Sequence, residues 1–430
     1  MDKKLKKKIL QLLKPLKWFY PGMGVKRWYL FSFIGIVIIV TGSLFLSNPA
    51  KVNQIFGAGF LFLGIAILIV GINRVILTFT TVLSPKDELV DLIFQKRHLE
   101  RGLKIVTIGG GTGLSTLLEG LKQYTNNITA IVTVADEGGS SGKLRREFDV
   151  LPPGDIRNCL VALADTSPLM EELFQYRFDE KSTLSGHSFG NIFILAMSRV
   201  AKDFEEAVKQ SSKILAIRGQ VVPSTLNNVR LVAELEDGTT TRGENLITER
   251  SNPSPIKKLY LEPAHCEPTK SALEAIKNAD AIVLGPGSLY TSIIPNLLVD
   301  SMTEAINSSP APKICVCNIM TQHGETDGYE ASKHIKGILK NTKIDKIDYC
   351  VVNNANIPKQ LADRYAGEKA HQVIADVDNV KKLGVTPIED NIITTLIKDK
   401  EYIRHNPRKL AKTIIDIISI AKTEAAHRET

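Results

Sequence analysis

The hydrophobic pattern changes period along the chain. Residues 28–47 (WYLFSFIGIVIIVTGSLFLS) and 55–72 (IFGAGFLFLGIAILIVGI) are apolar runs without a charge. A bilayer core of roughly 30 Å needs about 20 apolar residues of helix, so each run is long enough to span. The connection at 48–54 is too short to fold by itself and predicts a helical hairpin with both ends on one side. From about residue 103 short β-branched runs alternate with helical stretches, at 104–108 (KIVTI), 128–134, 281–284, 313–318 and 348–352. That alternation predicts an α/β fold with a mostly parallel sheet covered on both faces. Between about 220 and 262 the rhythm becomes strand-rich around the turn signal Asp237-Gly238, which predicts a small β insertion. Beyond His371 the pattern supplies another strand or two and a last helix, with Asn406 as its cap and Pro407 at its first position.

Charge sharpens this division. The 430 residues carry 54 Lys+Arg against 46 Asp+Glu, a net +8. Residues 1–27 alone hold nine of the bases and one acid, so 28–430 balance at 45 against 45. A diffuse cationic face for nucleic acid is therefore disfavoured, because such binding needs excess cations to displace counterions. The bases instead flank the apolar runs: the first segment precedes them, Arg74, Lys86, Lys96, Arg97 and Arg101 follow, and the short loop has only Lys51. By the positive-inside rule both termini are cytoplasmic. A cleaved signal peptide is disfavoured, since the basic region is long and a second span follows at once. Residues 3–18 read either as a basic amphipathic helix on anionic lipid or as a plain orientation signal. The expected organisation is a basic cytoplasmic segment (1–27), a transmembrane hairpin (28–74), a linker (75–102) and a ligand-binding domain (103–430). The five scattered cysteines predict buried thiols, with Cys315 and Cys317 facing one way along a strand.

Candidate chemistry clusters where strands meet helices. Residues 108–115 (IGGGTGLS) follow a strand and open a helix, so Gly109, Gly110, Gly111, Thr112 and Gly113 form a candidate anion cradle. The dinucleotide fingerprint would need glycine where Leu114 stands. Asp136, at the end of the next strand, is where a doubly wound fold places an acid on ribose hydroxyls, with a loop-capping carboxylate as the alternative. The following run EGGSSGKLRR offers Gly138, Gly139 and Ser140; its spacing to Lys143 and its Leu144 fail the Walker pattern, which discounts ATP hydrolysis. PPGDIRN (152–158) fixes Asp155, Arg157 and Asn158 at a helix start, with a helix cap as the alternative for Asp155. SGHSFGN (185–191) presents His187 and Asn191 at another helix mouth, His187 as a general acid or base or as a structural hydrogen bond. GPGSLYTS (285–292) repeats the glycine logic with Gly285, Gly287 and Ser288, and NIMTQHGETDGY (318–329) adds Asn318 and Thr321 in a dense polar run.

Together IGGGTGLS, AIVTVADEGGSSGKLR, PPGDIRN, LSGHSFGN, VLGPGSLYTS, NIMTQHGETDGY and YIRHNPRKL resemble the CofD-like superfamily, and within it the YvcK-type gluconeogenesis factors. The resemblance covers residues 103–421; Glu137 departs from the family's usual second Asp, and the hairpin lies outside the common core. It implies a Rossmann-like, doubly wound domain that binds a UDP-sugar, notably UDP-N-acetylglucosamine. It further implies a role in partitioning carbon toward the cell wall and cell shape during gluconeogenic growth, through regulatory or cell-wall-synthesis proteins. At matching positions it points to Gly110, Gly111, Thr112, Asp136 and Asn191 for the nucleotide, and to Tyr365 and Arg404 for uracil stacking and a phosphate contact, against packing and surface roles.

Three functions compete. A membrane-anchored nucleotide-sugar sensor needs no turnover, and no nucleophile–base pair or metal cluster is legible. A CofD-like phospholactate-type transferase would use a nucleotide-diphosphate donor, with magnesium held by Asp136, Asp155 or Asp327. A nicotinamide oxidoreductase is weakened by Leu114 and by the lack of a nicotinamide-side motif. Whether the sheet domain forms a homodimer is left open.

Overall fold

A computed structural model describes residues 25–47, 50–83, 99–179, 183–250, 254–397 and 401–429. The first part of the basic segment and most of the linker lie outside these residues. The chain divides into two compact units, at Met1–Arg97 and His98–Thr430.

In the first unit both apolar runs are helices, Val25–Leu46 and Lys51–Leu83, the second running past the expected start of the linker. Residues Arg27–Leu46 and Lys51–Leu77 are long and apolar enough to cross a membrane. The two helices approach closely at glycines. A Cβ on Gly42 would lie 2.9 Å from the carbonyl oxygen of Gly57, and one on Gly35 3.0 Å from that of Gly64. Small residues at these positions let the two backbones approach closely. The outward faces carry Phe33, Ile55 and Phe62, the last 84% exposed.

The second unit is built on a seven-stranded sheet. In chain order its strands are β1 (Ile105–Gly109), β2 (Ile128–Val132) and β3 (Gln220–Pro223). A separate antiparallel sheet follows, of β4 (Arg230–Leu235), β5 (Thr240–Arg242) and β6 (Ile256–Glu262). The main sheet resumes with β7 (Ala281–Leu284), β8 (Lys313–Val316), β9 (Tyr349–Asn353) and β10 (Thr386–Asp390). A hairpin of β11 (Ile393–Ile397) and β12 (Glu401–His405) completes the set. The main sheet runs β10-β9-β8-β7-β1-β2-β3, with every pair parallel. The strand-rich segment was expected to start near 220, but β3 belongs to the main sheet, and the separate one begins at Arg230. Val221 and Val222 are buried because β3 pairs with β2 along its whole length.

The β-branched strands are buried throughout because both faces are covered. Alternate residues of β1 enter different cores: Val106 and Ile108 join Ile131, Ile282 and Leu284, whereas Ile105 joins Ile128, Val132, Val283 and Val351. All five cysteines are free and buried, Cys315 and Cys317 together in the first of these cores. The last helix, Pro407–Glu429, begins as expected: Asn406 Oδ1 accepts from the Lys409 amide at 3.1 Å. Strand order reverses between β1, whose sequence neighbours lie on one side, and β7, which leads the other. Open α/β sheets bind ligands outside the carboxyl ends of strands at such a point.

Candidate functional site

Both glycine loops flank this reversal. After β1, Gly110 is extended and Gly111 takes φ +68°, turning the chain into the helix Gly111–Leu121. After β7, Gly285 takes φ +82° and donates its amide to the Ile108 carbonyl at 2.8 Å. The loops touch through backbone. A Cβ on Gly113 would lie 2.9 Å from the Pro286 carbonyl, and one on Gly287 3.1 Å from that of Gly110. Side chains would push them apart. Asn318, just beyond β8, fastens Gly287 by both its groups, donating to the carbonyl at 2.8 Å and accepting from the amide at 3.3 Å. Ser288 donates to Gln322 Oε1 at 2.6 Å.

One carboxylate, Asp155, faces the β1 loop, and a second, Asp136, neighbours it. Asp136 accepts from the Gly138 amide at 2.8 Å and bonds Ser141. Asp155, in the first turn of the helix Gly154–Leu163, does not cap its own helix; it accepts from the Gly111 amide. Burial raises both, and Asp136 raises Asp155 further because two adjacent anions cannot both ionise freely out of water. A third acid comes from the insertion. Glu244, at the start of the short helix Glu244–Thr248, accepts from the Glu137 amide at 3.3 Å. Burial and the neighbouring Asp136 push it up to about 7.

A second cluster sits at the mouth of the helix Phe189–Ala201. His187 Nδ1 and Ser140 Oγ are 3.0 Å apart, and Asn191 Nδ2 donates to that same hydroxyl at 3.0 Å. Ser188 caps the helix. The Arg157 guanidinium ties the cluster together, donating to Asn191 Oδ1 at 3.1 Å, to Ser188 Oγ, and to Asn158 Oδ1 at 2.6 Å. Burial lowers this arginine to about 10. Ser140 opens the helix Gly139–Phe148, so the loops after β2 and before the Phe189 helix are joined through one hydroxyl. The arrangement offers amide-rich helix starts and buried acids, the parts needed to hold a diphosphate and a ribose.

Residues 105–393 match the protein family described as "2-phospho-L-lactate transferase CofD". The chain belongs to the CofD family. A "Gluconeogenesis factor" of Bacillus subtilis (strain 168) is 45% identical over 315 residues, covering 73% of this chain and 98% of its own. A "Putative gluconeogenesis factor" of Nostoc sp. is 47% identical over 422 residues, covering 93% of this chain and 91% of its own. A crystal structure of a Bacillus halodurans protein aligns with a TM-score of 0.70 at 46% identity, over 73% of this chain and 100% of that one. Within the CofD family this chain groups with the gluconeogenesis factors.

Other sites in this CofD member are more structural in their contacts. Thr321 lies buried, bonded to His371 by both its amide and its hydroxyl. Tyr365 is 7% exposed, its hydroxyl accepting from the Ile403 amide at 3.0 Å, with Arg364 5.1 Å from its ring. Arg404 lies over Tyr402 at 5.5 Å and donates to its neighbour's carbonyl. Their hairpin joins the strand ends through His405 Nε2, 3.3 Å from the Cys317 carbonyl, next to Asn318. Sequence reasoning missed Glu244 and Asn245. Asn245 donates to the Glu137 carbonyl at 3.1 Å, and the insertion reaches the loop after β8 as well, where a Cβ on Gly324 would lie 2.9 Å from the Thr248 carbonyl. Within that loop Glu325, held by the Tyr290 amide and the Thr291 hydroxyl, is pushed by burial to about 7.

Proposed function

We propose that this chain is a membrane-anchored, cytoplasm-facing UDP-sugar-binding regulator, a gluconeogenesis factor that links carbon metabolism to cell-wall synthesis and cell shape. Its ligand is UDP-N-acetylglucosamine. The carrying observation is the fit of the Gly110 loop against Asp155, with Asp136 at the adjacent strand end. A near-neutral domain, 39 bases against 41 acids from Gly102 onward, must hold an anion through local amides and placed side chains. The relatives' names support the metabolic role, and the flanking bases support cytoplasmic termini.

The family description favours a second reading, a transferase using a nucleotide-diphosphate donor and magnesium. Asp136 and Asp155 fit that cation chemically. Magnesium prefers hard oxygen donors and takes one or two carboxylates, completing its shell with phosphates and water. Asp327 is already engaged by the Gly324 amide and by His323. Magnesium would supply charge neutralisation at the diphosphate; the protein's part would be to hold Asp155 against the Gly110 loop with Asp136 as its neighbour.

One titration separates the readings. Full-length protein in lipid nanodiscs is given UDP-N-acetylglucosamine with and without magnesium, and binding and the release of UMP or UDP are followed together, UMP being the leaving group of a phospho-group transfer. Binding without release, lost in Asp136→Ala, supports the regulator. Release above a heat-inactivated control favours the transferase, and failure to bind any uridine nucleotide ends the ligand assignment. A reporter fused after Thr430 tests topology; a periplasmic signal would overturn it.

A further inference from the structure

Lys143 stands at the wrong spacing for a Walker loop, exposed on the helix Gly139–Phe148. Its ammonium nevertheless reaches a second element, for a Cβ on Gly186 would lie 3.7 Å from Lys143 Nζ. Arg177 converges on the same residue, its Nη1 donating to the Gly186 carbonyl at 3.1 Å. Backbone pairing fixes it there: Arg177 bridges Ser188 in antiparallel fashion, and the Phe178 amide donates to the His187 carbonyl at 3.0 Å. Two cations are thus brought to residue 186, just before the cap Ser188 of the helix Phe189–Ala201. Among the described residues neither of them pairs with a carboxylate. Other arginines of the domain are matched, Arg230 by Glu137 at 2.9 Å and Arg218 by Asp165 at 3.0 Å.

A directional chain of hydrogen bonds ends at the same place. Arg157 can only donate, so Asn191 gives its Oδ1 to the guanidinium and its Nδ2 to Ser140 Oγ. The Ser140 hydroxyl accepts from Asn191 and still has its own proton to give; among the described residues its acceptor is His187 Nδ1, at 3.0 Å. Ser140 is 5% exposed, so withholding that proton would strand a buried donor. The neutral imidazole therefore carries its hydrogen on Nε2. His187 is 8% exposed, and its Nε2 makes no hydrogen bond among the described residues. Arg157 Nε is also buried without a partner. Each link donates away from the guanidinium and polarises the next, so the chain terminates in a donor. The charge of Arg177 adds to burial in lowering Arg157, a repulsion that an anion would relieve.

We propose that Lys143, Arg177 and His187 Nε2–H form a phosphate subsite at the mouth of the helix Phe189–Ala201. Its occupant is either the phosphate farther from the nucleoside in a nucleotide sugar or a free phosphate. A phosphate offers several oxygens at once to a guanidinium, an ammonium and a helix start. The subsite adjoins the acids, since Ser141, next to Ser140, bonds Asp136. It also meets a need of charge: Asp155 faces the Gly110 loop with Asp136 beside it, so positive charge for a diphosphate has to come from a neighbouring element. The nucleotide-sugar source rests on the proposed ligand; the free-phosphate source does not.

The test titrates full-length protein in nanodiscs, without magnesium, with inorganic pyrophosphate and with UDP-N-acetylglucosamine. Lys143→Gln combined with Arg177→Gln should weaken pyrophosphate binding roughly tenfold or more, at an unchanged melting temperature because both side chains are exposed. Lys143→Arg with Arg177→Lys keeps the charge and should restore most of the binding. The control Lys209→Gln, which removes an exposed charge on another helix, should bind as the unaltered chain does. Nitrogen-15 shifts should place the His187 hydrogen on Nε2; a hydrogen on Nδ1 would remove His187 from the subsite. If the nucleotide sugar supplies the phosphate, pyrophosphate competes with it and the double variant loses affinity for both. If a free phosphate does, the two bind together and the double variant keeps its nucleotide-sugar affinity. Equal pyrophosphate and nucleotide-sugar affinities in the unaltered chain and the double variant overturn the proposal, as does a chain that binds no pyrophosphate and keeps its nucleotide-sugar affinity in that variant. Pyrophosphate binding without binding of any uridine nucleotide would count against the proposed ligand and leave the subsite standing.

Discussion

Gly110 and Asp155 are fitted to each other: a Cβ on Gly110 would lie 2.4 Å from Asp155 Oδ2. The glycine is extended there, so its role is space rather than backbone freedom. Its neighbour Gly111 is the reverse, at φ +68° with its nearest atom 3.9 Å away. The two alanine substitutions should therefore differ. Gly110→Ala displaces the buried carboxylate and should weaken UDP-sugar binding at least tenfold, with a cost of about 1–3 kcal/mol in stability. Gly111→Ala strains only the backbone, about 1 kcal/mol, and should leave more of the binding. Calorimetric titration beside thermal melts reads both; equal binding losses would contradict the distinction.

Arg157 serves three side-chain acceptors from one buried guanidinium. Lysine carries the charge but cannot reproduce the planar fork. Arg157→Lys should cost about 1–3 kcal/mol through stranded acceptors. It should also release Asn191 from its orientation toward Ser140, so ligand affinity falls along with the melting temperature. Asn191→Ala should lower affinity by a similar factor with a smaller loss of stability. A wild-type affinity in Arg157→Lys would remove the network from the site.

Strand ends were readable because glycine-rich turns between a β-branched run and a helix have a local cause. Gly109 through Gly113 and Gly285 through Ser288 lie where that pattern puts them, at the reversal of strand order. Contacts closed by distant segments were not readable. Glu244 meets the Glu137 amide across 107 positions, from a three-stranded insertion whose docking leaves no periodic trace. Arg157 is legible as part of PPGDIRN at a helix start, but its acceptors at 188 and 191 are not, because they belong to another motif. The start of the insertion was shifted because β3 is a short, buried strand whose pairing with β2 cannot be told from sequence by its length or composition.

Gly42 and Gly57 give the helical hairpin a sharp steric test. Leucine at position 42 must displace the facing backbone, since a Cβ already lies 2.8 Å from the Leu61 amide nitrogen. Gly59 has nothing within 4 Å, so leucine there is free. With cysteines at 45 and 60, whose native rings sit 5.9 Å apart, disulfide formation in nanodiscs should fall severalfold in Gly42→Leu and stay unchanged in Gly59→Leu. Equal yields would mean that the glycines do not set the helix separation.

The acids at the strand ends make a signed prediction about pH. Glu244 and Glu325 titrate at about 7 in the folded chain against an ordinary 4.5, and Asp155 and Asp136 move the same way. Between those values the folded state binds more protons than the unfolded one. Their contribution is therefore complete below the unfolded values and is lost as pH rises through about 7. Ligand-free protein should melt at a lower temperature at about pH 8 than at about pH 5.5, and Glu244→Gln with Asp155→Asn should flatten that slope. The same deprotonation builds negative charge beside the glycine loops, so UDP-sugar affinity without magnesium should fall above about pH 7, and added magnesium should restore it. An unchanged melting slope in the double variant would mean that these carboxyls are ionised already in the folded chain.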